Sequence, residues 1–322
     1  MNKCSETIVS EKASLVDPEH PLGEIFQTRR ATAPGMEALL GRSERVLDHG
    51  FLRVVDYMGD DAAIVQAARV SYGSGTKTQR EDRGLIRYLL AHSHTTPFEM
   101  CEVKLHVKLP IFVARQWIRH RTANVNEYSA RYSILDREFY VPAPEHLAAQ
   151  STANSQGRGA TLSGEEAQRV LQIIHEDGER NFSSYRQLLN EGEDGSAIDP
   201  RRSGLSRELA RIGLSVNTYT QWYWKTDLHN LLRFVRLRTD PHAQYEIQAY
   251  AERLLQILSR WVPYTYEAFL DYQLNSVTLS APALEVIRRR LRGEAIDFDA
   301  SGLSKREWND LSTTFGLGGS AK

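Results

Sequence analysis

The sequence predicts an α+β protein in which a mostly antiparallel sheet is flanked by helices. Apolar residues alternate with period two in FLRVVDYMGDD (51–61), FEMCEVKLHVKL (98–109) and VNTYTQWYWKT (216–226), the spacing of strands with one face in a core. Between and after these runs the apolar spacing changes to that of helices. No glycine-rich strand–turn–helix fingerprint of the dinucleotide-binding or P-loop type occurs, so any nucleotide pyrophosphate must be met by side chains.

Residues 1–45 are polar and weakly periodic and read as a flexible, loosely attached arm. Order is expected to begin at the strand from Phe51, followed by the Ala-rich helix DAAIVQAARVSYG ending before Gly73, and a Gly/Ser/Thr turn region. Leu85, Ile86, Leu89 and Leu90 make DRGLIRYLLAHS a helix that feeds the strand from Phe98 onward. Pro110 falls at the first turn of the helix IFVARQWIRH, where a proline forfeits no hydrogen bond. AAQSTANSQGRGATLSG (148–164) reads as a mobile loop within an insert at 149–195, and Ser163 with Glu166 as a capping box for the helix through Leu189. LSRELARI (205–212) looks helical, and Asp227 is placed to cap LHNLLRFVRLRT. Pro241 is expected to open a long amphipathic helix through Trp261. The domain of residues 46–275 is then followed by a helical extension, 276–322, with one helix at ALEVIRRRLRG and another capped by Ser304 with Glu307.

Composition narrows the function classes. With 40 Lys+Arg against 41 Asp+Glu, the surface as a whole is not built to collect nucleic acid or acidic lipid, so an anion site must be local. The amino terminus lacks the apolar run of a signal peptide, and no stretch approaches the ~20 apolar residues of a membrane span. The chain therefore reads as cytoplasmic, where a disulfide between Cys4 and Cys101 is not expected. No Cys/His cluster has zinc spacing, and no metal is expected.

The densest chemistry lies in RHRTANVNEYSARYS (119–133). If IFVARQWIRH is helical, Gln116 and Arg119 share a face and the Arg119-His120-Arg121 cluster falls at its end, where each cation gains roughly 0.3–1 kcal/mol from the helix dipole. A capped, solvated helix end accounts for two such cations. It does not account for Asn126 to Ser133: if extended, Glu127, Ser129 and Arg131 alternate onto one side, offering an acceptor, a hydroxyl and a guanidinium suited to a nucleotide. In DLHNLLRFVRLRTDPHAQ, Leu228, Leu231, Leu232 and Val235 form an apolar stripe while His229, Arg233, Arg236 and Arg238 distribute around the helix. Arg236 reads as a surface residue; Arg238, before a Thr-Asp-Pro break, is better placed for a pocket. The two patches either share one anion or nucleotide site or are separate.

RHR, seven residues, then Ser (Arg119-His120-Arg121 to Ser129) resembles the signature of the flavin-dependent thymidylate synthases. HTTPFE (94–99), PIFVARQWIRHR (110–121) and LRTDPHAQYEI (237–247) join it in order, so the resemblance covers roughly residues 50–270. It implies that family's fold and a reductive methylation of dUMP to dTMP with FAD, NADPH and methylenetetrahydrofolate, in a homotetramer with shared sites. It also implies no cysteine nucleophile, which leaves Cys101 as a buried apolar residue and Cys4 in the tail. By this resemblance Gln116 and Arg119 contact nucleotide, and Glu127, Ser129, Ala130 and Arg131 reach dUMP on a neighbouring subunit. Arg211 is a phosphate-side arginine, and Arg238 lies against the uracil edge as the active-site residue. Ser71, Thr96, Arg119, His120, Arg121, Glu127, Asp227, His229 and Arg233 would hold the flavin, with His94 near its folate face.

Several positions depart from the family's commonest pattern. Asn124 stands for a frequent serine and Ala130 for a glycine, so if backbone N–H holds phosphate there, the Ala130 methyl must point away. Asp-Leu-His at 227–229 replaces Asn-x-Arg, and Arg233 replaces His or Asn. Taken alone, His94 and His229 read as polar packing residues, the Trp/Tyr group of TQWYWK as sheet core, and the arginines at 288–292 as a solvated helix face. A runner-up within the same chemistry methylates UMP. An RNA-binding surface is the competing reading of another class, and the near-neutral charge and the clustering at one helix end speak for a small anionic ligand instead.

Overall fold

Strands β1 (Ser43–Val46) and β2 (Gly50–Met58) start the sheet after a one-turn helix α1 (Pro34–Glu37). The computed structural model describes residues 29–70, 79–152 and 157–317. Helices α2 (Asp61–Ala68), α3 (Gln79–Ala91) and α4 (Thr96–Glu99) lead to β3 (Glu102–Pro110), α5 (Ile111–Trp117) and β4 (Asn124–Glu127). A hairpin of β5 (Ala148–Gln150) and β6 (Arg158–Thr161) precedes the long helix α6 (Gly164–Leu189) and the single turn α7 (Arg207–Ala210). Strand β7 (Tyr219–Asp227) and helices α8 (Leu228–Arg238), α9 (Tyr245–Trp261) and α10 (Pro263–Phe269) follow, in a compact unit that ends at Leu274. The main sheet has the order β1-β2-β3-β7-β4, and every neighbouring pair of strands is antiparallel, as predicted.

Alternation decides which face of that sheet is covered. Val103, Leu105, Val107 and Leu109 of β3 and Trp222 and Trp224 of β7 are buried in one core with the α8 stripe Leu228, Leu231, Leu232 and Val235. The two tryptophans are sheet core, as expected, while the exposed Tyr223 stacks on His106 at 4.8 Å. Trp117, the last residue of α5, meets Phe234 at 4.5 Å, Trp224 at 5.4 Å, and Trp222 and Tyr250 at 5.9 Å. Each such ring pair contributes about 0.5–1.5 kcal/mol beyond its buried area. The end of α5 is thereby fixed against α8, which determines where the residues after Trp117 lie.

The structure corrects several expectations. Residues 33–45, assigned to the arm, include the buried Ala33, Met36 and Leu39 of the main core; residues 1–28, with Cys4, lie outside the described residues. The strand expected from Phe98 begins at Glu102, because Pro97 presets a helical turn that buries Phe98. Pro110 is the last residue of β3 and the N-cap of α5, not part of its first turn. The extended row after Asn126 stops at Glu127: Tyr132 N–H donates to Ser129 O at 3.1 Å, so the chain turns and Glu127, Ser129 and Arg131 do not line one side.

Further along, the supposed mobile loop contains the β5–β6 hairpin, with residues 153–156 outside the described residues. Ser163 is the N-cap of α6, but its side chain makes no capping bond, so the Ser163–Glu166 box does not form. Helix α9 starts at Tyr245, not Pro241, since Ala243 N–H closes a turn on Asp240 O at 2.8 Å. Gly178 of α6 is required by close approach: a Cβ there would lie 2.5 Å from the Phe139 ring.

The second unit, from Asn275, consists of α11 (Ala281–Leu291), α12 (Phe298–Ser301) and α13 (Lys305–Phe315). Its own core is Ala283, Val286, Ile296, Leu303, Trp308 and Leu311. Ser304 caps α13 by accepting from Glu307 N–H at 3.2 Å, while the Glu307 carboxylate accepts from Ser280 Oγ. Arg288, Arg289 and Arg292 pair with Glu285 and Glu294. Arg290 departs from the solvated face, lying 5.8 Å over the Trp308 ring and donating to Leu317 O at 3.3 Å.

Candidate active site

Beyond Trp117 the chain leaves α5 by a tight turn, with His120 N–H donating to Trp117 O at 3.0 Å, and then becomes the edge strand β4. That turn exposes Arg119 and Arg121 and points the His120 ring inward, 4.8 Å edge-on to Phe234. Helix α8 comes from the other side. Asp227 caps it, accepting from Asn230 N–H at 2.9 Å and from the Asn230 amide at 2.7 Å. With the apolar stripe of α8 in the core, Arg233 is left exposed and Arg238 half-buried at the helix end.

Arg238 is held by two bonds that cross the sequence. Its Nε donates to His120 Nε2 at 3.1 Å and its Nη2 donates to Gln116 O at 3.4 Å. Because His120 Nε2 accepts, the ring proton must reside on Nδ1. Burial, followed by the charges of Arg238 and Arg233, pushes the His120 pKa down to about 4, so the ring is neutral at physiological pH. Burial also lowers the pKa of Arg238, which still stays cationic. The Gln116 side chain in turn donates to Gln244 Oε1, at the N-cap position of α9.

A cleft of about 350 Å³ opens between the two segments, lined by Arg119, His120, Arg121, Thr226, Arg233 and Arg238 among others. Four guanidiniums and a neutral imidazole around one cleft make a donor set suited to a polyanion such as a pyrophosphate, and the residues present fit a bound dinucleotide. The two sequence patches are thus partly joined: Gln116 and the RHR cluster meet Arg233 and Arg238.

The remaining predicted residues fall elsewhere. Arg131 and Arg211 come together around Glu208, with Arg131 Nε 3.5 Å from its carboxylate and Arg211 Nε donating to its carbonyl at 3.4 Å. Ser129 Oγ accepts from Arg131 N–H at 3.4 Å, and Ala130 is buried. The Glu127 carboxylate accepts from Thr220 Oγ1 at 2.8 Å. None of these five residues lines the cleft within the one chain. His94 and Thr96 are exposed around the turn from α3 to α4, and α4 packs against α8, whose first turn carries the half-buried His229. Ser71 lies outside the described residues. Sequence reasoning missed Gln244, Asn230 and Glu208. The signals were present: Gln244 sits inside LRTDPHAQYEI, and Glu208 precedes Arg211 by one helical turn.

Among the described residues no group of His, Cys, Asp or Glu could hold a metal ion, and no helix is long and apolar enough to cross a membrane. Residues 53–264 match the family model described as thymidylate synthase complementing protein. Curated relatives named flavin-dependent thymidylate synthase include one from Ruegeria pomeroyi, 62% identical over 95% of this chain and 98% of its own length. Those from Gluconobacter oxydans and Rickettsia prowazekii are 61% and 58% identical, covering 95% and 89% of this chain and 97% and 98% of their own. Among solved structures, the UMP/dUMP methylase PolB from Streptomyces cacaoi bound with 5-Br UMP has a TM-score of 0.62 and 33% identity, over 71% of this chain and 97% of that one. The same protein bound with 5-Br dUMP gives a TM-score of 0.62 and 31% identity, over 72% and 99%. With the site's RHR cluster inside the matched segment and relatives alike over nearly the whole length, the chain belongs to the thymidylate synthase complementing protein family, the flavin-dependent thymidylate synthases.

Proposed function

We propose that the protein converts dUMP to dTMP by reductive methylation at C5 of uracil, as a cytoplasmic homotetramer with sites shared between copies. The observation that carries this reading is Arg238, desolvated and oriented by His120 and Gln116 at the end of a cation-lined cleft. FAD, reduced by NADPH, supplies the hydride when bound, and methylenetetrahydrofolate supplies the carbon. Arg119, Arg121 and Arg233, with His120, hold the anionic part of FAD; Asp227, whose carboxylate caps α8, contributes position more than charge.

Arg238 is aimed at the uracil edge, where a fixed cation stabilises negative charge that develops on the ring. Its orientation is set before substrate arrives, so no reorganisation is needed at the moment of reaction. His120 remains neutral and accepts from Arg238; a protonated ring would present a second cation and no acceptor. Gln116 and Arg119 contact the nucleotide, while Glu127, Ser129, Ala130, Arg131 and Arg211 serve dUMP bound against a neighbouring copy. Cys101 fits no nucleophilic role, being fully buried with its thiol pushed up to about 12 by desolvation.

A second reading, C5-methylation of UMP by the same residues, is favoured by one observation: the solved neighbour is a UMP/dUMP methylase bound with 5-Br UMP in one structure and 5-Br dUMP in the other. Anaerobic turnover with FAD, NADPH and methylenetetrahydrofolate, run with dUMP and with UMP, tests both. We expect dTMP to form and Arg238→Ala to lower turnover by about 10²–10³-fold with flavin retained. Methylation of UMP without dTMP formation would replace the first reading by the second.

A further inference from the structure

The β5–β6 hairpin contains none of the motif residues of the cleft, yet one of its side chains reaches the framework of the site. Arg158 Nη2 spans both carboxylate oxygens of Glu246, at 2.9 and 3.1 Å. Glu246 is 5% exposed and sits in the first turn of α9, where it also accepts from Tyr140 OH at 3.2 Å. The same guanidinium lies 5.5 Å over the Tyr245 ring, and Tyr245 is stacked against His146 at 3.4 Å. A paired carboxylate at a helix N-terminus fixes the first turn, and the residue before that turn is Gln244. Gln244 holds the side chain of Gln116, and the Gln116 carbonyl holds Arg238.

We propose that Arg158 is a positioning residue for Arg238, acting through Glu246, the first turn of α9, Gln244 and Gln116. An unbroken series of contacts connects the hairpin to the cation assigned to the uracil edge. Loss of Arg158 leaves a buried carboxylate with Tyr140 as its one remaining side-chain partner among the described residues, so the first turn of α9 relaxes toward solvent and Gln244 loses its register with Gln116. A lysine would keep a cation near the carboxylate but lose the planar guanidinium that lies over the Tyr245 ring while it binds Glu246.

The assignment of dUMP as the ligand rests on the proposed function, but the positioning itself can be read without ligand. The full chain, labelled at histidine Cε1, is compared as wild type, Arg158→Lys, Arg158→Met, Gln244→Ala and Arg158→Met/Gln244→Ala by NMR and by thermal unfolding. The expected result is that Arg158→Met and Gln244→Ala both shift the His120 resonance and raise its titration midpoint, with no further shift in the double variant. Arg158→Lys should give an intermediate shift. Titration with dUMP, followed by the flavin absorption band, should then show about a tenfold weaker Kd for Arg158→Met, an effect non-additive with Gln244→Ala. An Arg158→Lys or Arg158→Met protein that melts earlier while its His120 resonance stays in place overturns the proposal. A wild type that does not bind dUMP overturns the substrate reading and leaves the His120 result to decide this one.

Discussion

Acidification is a direct test of the site, because the neutral state of His120 is what allows Arg238 to keep its orientation. An imidazole of ordinary pKa near 6.5 is about 90% protonated at about pH 5.5, whereas one held at about 4 is only about 3% protonated there. His120 should therefore remain an acceptor for Arg238 Nε down to about pH 5 and lose that bond only as the pH approaches about 4. The sign for stability follows from linkage. The folded pKa lies below the unfolded one, so the group contributes no penalty above about 6.5, and folded stability declines as pH falls from there toward about 4, where the unfolded chain binds the proton first. The assay is NMR of histidine Cε1, with His120→Gln to assign the resonance. A midpoint near 6.5 would refute the reasoning, since it would mean that neither burial nor the two arginines act on the ring.

Two other perturbations follow from the packing. Cys101→Ala should leave turnover within about twofold, because the thiol is not a nucleophile, and lower stability by about 1 kcal/mol through the lost buried sulfur; loss of turnover with bound flavin and an unchanged melting midpoint would contradict this. Trp308→Ala removes the largest side chain from the small core of the second unit and should cost about 3–5 kcal/mol, comparable to all the stability that so small a core supplies. Limited proteolysis should then cut between residues 281 and 315 while the unit ending at Leu274 keeps its unfolding transition; unchanged resistance would contradict it.

The legible parts of this protein were those written in local pattern. Alternation in VNTYTQWYWKT located β7, and the Leu228, Leu231, Leu232 and Val235 spacing located the buried face of α8, because each repeats at its element's own period. The RHR cluster and Arg238 were found through a long motif, and Asp227 through its position ahead of an apolar run. What failed depended on partners distant in sequence. Ser163 has the composition of a cap, yet no side-chain bond forms, and composition cannot report that. The row Glu127, Ser129, Arg131 assumed a strand long enough to alternate, whereas the β4–β7 ladder runs only to Glu127, with one more bond from Tyr128 N–H to Gln221 O before the chain turns at Ser129. The hairpin at 148–161 looked like a mobile loop because its strands are short and polar, and Arg158 acquires meaning only against Glu246, many residues later.

Those long separations also govern how the protein comes into being. The bonds that orient Arg238 and Gln116 join residues 118 and 128 positions apart. At about 5–20 residues per second of synthesis, the end of α5 waits on the order of 6–25 s for the segments that complete it. Trp117 spends that interval without Trp222, Trp224, Phe234 or Tyr250, all of which are made later. A nascent chain halted before β7 thus presents a bare indole beside a cluster of cations, a surface that chaperones and stray polyanions can both engage. The contacts that orient Gln116 and Arg238 can close only once Gln244 has been made, so the site is among the last parts of this unit to assemble.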